Sequence, residues 1–448
     1  MKKNFLTTIA LMVTAFFVAT EIARAADVSF SGQLRTRYEF AEHKGAGAFN
    51  DSLIGDDFIA TRMRLNANVN INDSTSAFIQ LQSARVWGNG QGSGNASFSA
   101  NDTDASVGIH QAYFTLKNFA TLPADLKLGR QQVVLDGHRL FGHTGWTTGA
   151  QTHDAIRLTH KGGNHTLSYV YMLAQEGRTA RSAPVVTQTV TPTDTGDVDD
   201  YDVHLLHANF QGILGGGLSL YFVGTQNERT AENDIYTVGF RQAGQLFGID
   251  YRGEYYHQWG EANADATFTS TGDVDRDAYM FGVRIGKKFN NVMMKPSLTI
   301  WYDQLSGTDD ADDSTSTGNE WETFNTLFDT GHKFYGYMDL FLNSRYHGTG
   351  GLGLTDFAIK GSLQPMPGWT FKAAYHWFDT EADPANGADD DLGTELDLAL
   401  VHKYNANTVI SVGYSFFEAD DLFRAVNNPK DGTDDDADWV YVQLDVKF

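Results

Sequence analysis

Apolar and polar residues alternate with a period of two along most of the chain beyond residue 27. In the first alternating stretch Val28 and Phe30 lie on one face, whereas Arg35 and Arg37 lie on the other. The pattern recurs at residues 57–71, where apolar side chains alternate with arginine and asparagine. Because successive side chains of a strand point to opposite faces, each stretch predicts a strand with one apolar and one polar face.

The number and the length of these stretches indicate a barrel in a membrane. We count about 18 of them, and many span ten or more residues. Soluble strands are most often about 5–6 residues long, whereas membrane-spanning strands need about 9–11. We therefore predict an all-β fold, a transmembrane antiparallel β-barrel of about 18 strands. The predicted strands are 28–41, 57–71, 75–87, 107–117, 124–134, 152–160, 165–174, 199–210, 216–224, 233–242, 247–258, 276–287, 293–304, 353–365, 368–379, 394–404, 407–417 and 437–448.

The connections between these stretches alternate in length. Short ones such as 72–73 and 405–406 lie between much longer ones. Short periplasmic turns and long extracellular loops are typical of bacterial outer-membrane barrels, so the alternation predicts that location. The longest connection is a candidate for an external loop that folds over or into the pore. The long connections are 88–106, 175–198, 259–275 and 305–352.

The amino-terminal residues have the layout of a secretory signal. Lys2 and Lys3 precede an apolar run, 5–18, and small residues follow at Ala23 and Ala25. A membrane-anchoring helix is the alternative, but it would need about 20 apolar residues. We therefore predict a signal peptide, 1–25, and a single barrel domain, 26–448.

The carboxyl-terminal stretch alternates to the last residue, which is Phe448. This ending resembles the signal by which the barrel-assembly machinery recognises outer-membrane proteins, and that machinery is therefore an expected partner. Lipid forbids unpaired backbone groups, so a sheet inside it must close on itself. Outer-membrane lipid and lipopolysaccharide are the expected surroundings of the closed barrel.

Composition and charge narrow the function. The formal net charge is −23, and the chain has no cysteine. A nucleic-acid partner and a disulfide scaffold are therefore excluded. Three acidic clusters lie in predicted loops, where solvation or weak binding of divalent cations is expected, and none has the spacing of an EF-hand. We expect no cofactor. The clusters are 309–313, 389–391 and 434–436.

The polar face of the predicted strands is rich in basic residues. If the apolar face contacts lipid, the lumen receives Arg35, Arg37, Arg62, Arg64, Arg157, Arg252, Arg284, Lys360 and Lys372. The same face carries acidic residues, so a ladder of ion pairs that only stiffens the barrel is one interpretation. In the other, unpaired guanidiniums form a path for a solute with carboxylates, because their planar fork matches that group and stays charged. The acidic residues are Glu39, Asp250, Glu254, Asp303, Asp356, Glu395, Asp397 and Asp445.

Four stretches, 125–131, 323–328, 331–339 and 393–397, resemble the alginate export family of outer-membrane proteins. They read DLKLGRQ, TFNTLF, GHKFYGYMD and GTELD, and the first is followed by Gly137, Arg139-Leu140, Gly142, Trp146 and the stretch DAIRL at 154–158. The resemblance implies an 18-stranded channel, which in the prototype is a basic one for secreted alginate. It departs from the family pattern at 151–154, where a basic residue before an aromatic-Asp pair is missing. The motif residues added to the solute path are Arg130, Arg139, Asp154, His332, Lys333 and Asp339.

One motif residue conflicts with strict alternation. Leu126 and Leu128 face lipid in the predicted strand, so Arg130 would face lipid too, which is costly at depth. We therefore predict either a bulge near Gly129 or a position at the rim, which turns Arg130 inward.

These features favour an outer-membrane channel that passes an anionic, uronate-type oligo- or polysaccharide by diffusion. A general porin for small solutes is the alternative, and a structural or adhesive barrel is a further one. A barrel enzyme would need a nucleophile or a water-activating group beside a base. The densest cluster of such groups has no serine motif beside it, so we predict that the protein is not an enzyme. The cluster is Asp136, His138, His143, His153 and Asp154.

Overall fold

The computed structural model describes ten stretches of the chain, which contain the whole barrel wall. The signal-peptide prediction, 1–25, lies outside the described residues, as do most residues of the acidic clusters 309–313 and 434–436. All three stay predictions. The described ranges are 27–42, 56–87, 107–175, 201–227, 233–262, 274–309, 320–342, 349–384, 387–427 and 436–448.

Eighteen antiparallel strands form one closed barrel, so the predicted fold and strand number are confirmed. Each strand pairs with its neighbours along the chain, and β1 pairs with both β2 and β19 to close the wall. A two-residue strand, β14 (Glu320–Trp321), lies outside this count and pairs in parallel with β12. The wall strands are β1 (Asp27–Glu42), β2 (Asp56–Asn70), β3 (Thr75–Val86), β4 (Gly108–Leu116), β5 (Asp125–Gln131), β6 (His153–Lys161), β7 (His165–Gln175), β8 (Tyr201–Ile213), β9 (Gly216–Asn227), β10 (Ile235–Leu246), β11 (Ile249–Glu261), β12 (Asp275–Lys288), β13 (Ser297–Leu305), β15 (Leu354–Leu363), β16 (Trp369–Asp379), β17 (Asp391–Lys403), β18 (Thr408–Ala419) and β19 (Ala437–Lys447).

The two faces of the wall follow the sequence alternation. On β1 the apolar Phe30 and Leu34 are exposed on the outside, whereas Arg35, Arg37 and Glu39 are buried inside the barrel. Almost all of the remaining wall strands also have large apolar side chains exposed on their outer face. Lipid stabilises such a surface, whereas water would not.

Short turns join the strands at one end of the barrel, which we call the turn end. The tightest turns have two residues, Leu214-Gly215 and Phe247-Gly248, and all four φ angles are positive. Such turns match the twist of a hairpin, and glycine adopts these angles without a steric penalty. Long connections leave from the opposite end, the loop end. One of them contains the short helix α1 (Asp421–Asn427). Among the described residues, no helix is both long and apolar enough to cross a membrane.

Two connections from the loop end fold into the lumen, at residues 132–152 and 320–342. They meet where Phe141 and Phe328 form a parallel bridge, with Gly142 N donating to Phe328 O at 2.7 Å. The bridge continues into an apolar core inside the barrel, which includes Phe324 and Phe334. Apolar residues of these segments are therefore buried among inward side chains of the wall rather than exposed to water in the lumen.

Candidate solute path in the lumen

Four arginines on β1 and β2 form one basic region, which we call the first arginine set: Arg35, Arg37, Arg62 and Arg64. Three of them donate hydrogen bonds to backbone carbonyls of the inward segment at residues 145–147. Arg35 reaches all three carbonyls at 2.8–3.0 Å, and Arg62 reaches those of residues 145 and 147 at 3.1 and 3.0 Å. Arg37 donates to the carbonyl of residue 146 at 2.8 Å.

Carboxylates compensate little of the charge of the first arginine set. Arg37 pairs with Glu39 at 2.6 Å. Within the described ranges no carboxylate lies within 4.0 Å of Arg35, Arg62 or Arg64. A carbonyl accepts a hydrogen bond but carries no net charge, so these contacts do not neutralise the three guanidiniums, and Asp445 attracts all three from beyond 4.0 Å.

A polar cavity of about 580 Å³ opens beside three of these arginines, and we call it the arginine cavity. Its acidic lining residue, Asp445, accepts a hydrogen bond from Gln33 at 2.7 Å. The lining includes the ends of β1 and β19, so the cavity lies toward the turn end. Most of its side chains are either neutral amides and hydroxyls or charged guanidiniums. They include Ser31, Gln33, Arg35, Arg62, Arg64, Asn66, Gln80 and Gln132.

A second arginine set, Arg139, Arg241, Arg252 and Arg284, surrounds two buried carboxylates on strands β11 and β13. Arg139 contacts Asp303 at 2.5 Å and Glu254 at 3.2 Å, and Arg284 contacts Asp303 at 3.2 Å. Arg252 and Arg241 approach Glu254 at 3.5 and 3.9 Å. The second set therefore forms the ion-pair network that was one interpretation of the sequence.

Arg139 lies at the centre of this network. Burial lowers its pKa, but the adjacent carboxylates outweigh burial and hold the pKa well above the usual value. Its guanidinium also stacks 3.8 Å from the ring centre of Phe334 and donates to the Tyr335 hydroxyl at 2.6 Å. Arg139 thus fixes both inward segments to the wall.

The acidic residues of β15–β17 are buried and engaged. His376 bonds to Asp356 at 2.7 Å, and its other ring nitrogen lies 3.7 Å from Asp397. Glu395 accepts the backbone N–H groups of Tyr337 and Met338 at 2.6 and 2.9 Å. The inward segment therefore covers this acidic region, and the carboxylates are hidden from a solute in the lumen.

The two motif residues His332 and Asp339 belong to a stacked arrangement between the segments. Asp339 bonds to His332 at 2.7 Å, and the His332 ring stacks on Trp146 with 4.2 Å between centroids. Arg37 covers the other side of Trp146 at 3.9 Å from the ring centre. The stack therefore joins the first arginine set to both inward segments.

The remaining basic candidates are spread through the lumen. Lys333 donates to the carbonyl of Gly137 at 3.3 Å, and Lys360 lies 4.0 Å from the ring centre of Trp301. Lys372 is on the inward face of β16 and is exposed, while Arg157 on β6 is half-buried. The structure thus brings the arginines into two sets and leaves these residues apart from them.

Arg130 and Asp154 lie on the outer face of the wall at its loop end, which corrects the predicted inward position, and the Arg130 side chain also reaches the edge of a polar cavity lined by Gln82 and His110. Strands β5 and β6 pair without a register shift, so Arg130 shares the outer face with Leu128 and lies opposite Asp154. The two side chains form an ion pair at 3.0 Å and are 43% and 61% exposed. Gly129 has a φ of 122°, but the register shift is in the pairing of β3 with β4. The ion pair at the end of β5 makes an inward turn unnecessary.

The cluster considered for an enzyme does not converge on one site. Asp136 bonds to His207 at 3.2 Å and to Tyr221, and these hydrogen bonds outweigh burial and lower its pKa to about 2. Burial and the neighbouring Lys333 lower the pKa of His138 to about 4. His153 instead packs edge-on against Phe328.

Sequence reasoning missed several residues of the path. Arg241 lies on the inward face of β10. The alternation of apolar and polar residues around it predicts that position. Gln132 and two residues that bond Arg64, Gln82 and His110, were missed for a different reason. Loop residues carry no periodic signal, and a neutral amide gives no sign of its role.

In the acidic cluster 389–391 the carboxylates are exposed, with one ligand atom from each within 4.8 Å of the others. Weak cation binding there stays a prediction.

Comparison with known proteins decides the family. The Alginate export profile matches residues 26–433, nearly the whole chain. The chain belongs to the Alginate export family. This member is a channel of the bacterial outer membrane, and both the family and the matched structures are channels rather than enzymes.

Solved structures support the fold of this Alginate export member. OccAB1 of Acinetobacter baumannii has 16% identity and a TM-score of 0.57, with 96% of this chain and 98% of that chain covered. OccK10 (OpdN) of Pseudomonas aeruginosa has 12% identity and a TM-score of 0.58, with 94% and 99% covered. No curated protein matches this chain. At these identities the likeness concerns the fold alone.

Proposed function

We propose that this channel passes a uronate-type oligo- or polysaccharide by diffusion along the arginine cavity. The observation that carries the proposal is the set of three guanidiniums, Arg35, Arg62 and Arg64, that line the cavity with no carboxylate of the described residues within 4.0 Å. A guanidinium binds a carboxylate through two parallel hydrogen bonds, and it stays charged at any working pH. Arg35 and Arg62 are buried and bonded to the carbonyls at 145–147, so a uronate carboxylate binds them by replacing those hydrogen bonds.

The rest of the lining suits the hydroxyl groups of a sugar. Ser31, Asn66 and Gln80 form a line of neutral polar side chains joined by hydrogen bonds of 2.7–2.9 Å. Such groups both donate and accept, so a sugar hydroxyl can replace the neighbour that each one now bonds. Weak, exchangeable contacts of this kind favour passage over tight binding.

The distribution of acid supports the same proposal. The buried carboxylates of β11 and β13 are paired with arginine, and those of β15–β17 are covered by the inward segment. Of the acidic side chains, Asp445 is the one in the lining of the arginine cavity. An anionic solute in this cavity therefore meets more basic than acidic side chains, although the whole chain is acidic.

The test is single-channel recording in planar bilayers with oligouronate added on either side. We expect reversible block by the oligouronate and none by a neutral oligosaccharide of equal length. The double variant Arg62→Ser, Arg64→Ser should lose most of the block. Equal block by both sugars, or a block unchanged in the variant, would contradict the proposal and favour a general porin.

A further inference from the structure

A second polar cavity lies beyond the arginine cavity, toward the loop end. It has a volume of about 460 Å³, and we call it the rim cavity. It is lined by Gln82 and His110 from the wall and by residues 149–152 of the inward segment. Arg130, at the end of β5, contributes to its outer edge.

Four side chains separate the two cavities, and we call them the partition: Arg64, Gln82, His110 and Gln132. Arg64 Nε donates to Gln82 Oε1 at 2.7 Å, and Arg64 Nη2 lies 3.1 Å from His110 Nε2. Gln132 approaches the same ring nitrogen at 3.4 Å. Arg64 and Gln132 line the arginine cavity, whereas Gln82 and His110 line the rim cavity.

The partition differs from the rest of the lumen in what would have to move. It consists of one buried and three half-buried polar side chains, which are held by hydrogen bonds to one another. Elsewhere the inward segments are joined by backbone hydrogen bonds and by the apolar core around Phe141 and Phe328. Opening the core would expose apolar surface, whereas the hydrogen bonds of the partition can be exchanged for bonds to a solute.

We propose that the solute passes along the wall formed by β1–β5, through the rim cavity and the arginine cavity, and that the partition is the barrier it must open. The proposal rests on the proposed function for the nature of the solute, but not for the route. A carboxylate that bonds Arg64 releases Gln82 and His110, so the solute itself opens the barrier. His110 is thereby a residue that determines which solutes pass.

Because the chain has no cysteine, single thiols can test the route. The variant His110→Cys is modified with a bulky neutral thiol reagent while the current is recorded, and mass spectrometry verifies the modification. Lys372→Cys is the control, because Lys372 is an exposed inward side chain on β16, outside both cavities. Gln132→Cys repeats the test from the inward segment, should the first variant fold poorly.

We expect modification at His110→Cys to remove most of the current, about tenfold or more, and modification at Lys372→Cys to leave it within about twofold. Equal effects at both positions would overturn the proposal. So would a thiol at position 110 or 132 that stays unmodified in a conducting channel, because the partition must then be closed during conduction.

The result separates the route from the proposed function. An oligouronate-blocked channel whose current is insensitive to modification at position 110 would retain the function and reject the route. A channel that oligouronate does not block, but which modification at position 110 closes, would retain the route and reject uronate as the solute.

Discussion

The two arginine sets contain the same side chain in different surroundings. In the second set, Arg139 and Arg284 contact carboxylates at 2.5–3.2 Å, and both form an ion pair with Asp303. In the first set, Arg35 and Arg62 contact backbone carbonyls at 2.8–3.1 Å. The second set is an ion-pair network that holds the inward segments, whereas three members of the first set line the arginine cavity and bond neutral groups rather than carboxylates. Counting arginines in a lumen therefore does not show which of them can bind an anion.

The variant Arg139→Met tests whether the second arginine set stabilises the inward segments, and it has the largest expected effect. The change removes the central cation of the second set and leaves Glu254 and Asp303 buried with fewer partners. Removing one partner of a buried ion pair costs about 3–5 kcal/mol, so we expect the free energy of unfolding to fall by about that amount. Denaturant titration in lipid vesicles measures it. A loss below about 1 kcal/mol would show that the network does not hold the inward segments.

A half-buried carboxyl near Arg139, that of Asp329, offers a pH test. Burial raises the pKa of Asp329 from 3.8 to about 7. The folded chain therefore holds a proton that the unfolded chain releases, and stability falls as pH rises from about 4 to about 7. The full loss is about 4 kcal/mol, from 1.4 kcal/mol per pKa unit. Asp329→Asn should abolish this slope in unfolding titrations at three pH values. An unchanged slope would assign it to other groups.

The variant Trp146→Ala tests how strongly the first arginine set is attached to the inward segments. Trp146 lies between Arg37 and His332, so its loss removes a cation–π contact and a ring stack. These contribute about 1–2 kcal/mol together. We expect proteolytic cleavage within segment 132–152 to accelerate about 5–30-fold. Trp87→Ala is the control, because Trp87 follows the last residue of β3 and is exposed. Equal acceleration in both variants would argue against the stack.

The smallest effect is expected for Asp154→Asn. Its ion pair with Arg130 is largely exposed, and exposed pairs contribute about 0–1 kcal/mol. Unfolding titrations should therefore show a change below about 1 kcal/mol. A loss comparable to that of Arg139→Met would mean that the pair is buried in the membrane and that its placement at the rim is wrong.

The fold was predictable because it rests on one periodic signal. Lipid outside and polar groups inside impose alternation on every strand, and β1 and β2 show it without a break. The inward face of Arg35 and Arg62 followed from the same parity. Arg130 was misplaced because its motif suggested an inward role, while the parity of β5 correctly put it outside. The partners of the first set could not be predicted, because backbone carbonyls at 145–147 are supplied by a loop whose path no local pattern records.

The central claim is that the first arginine set, and not the second, makes the channel selective for anions. The most direct measurement is the reversal potential under a salt gradient for three proteins: the natural chain, Arg62→Gln with Arg64→Gln, and Arg252→Gln with Arg284→Gln. A charge about 4 Å from an ion in water contributes about 1 kcal/mol, or about fivefold in permeability. We predict anion preference in the natural chain, lost in the first variant and largely kept in the second. Cation preference in the natural chain, or equal losses in both variants, would contradict the account.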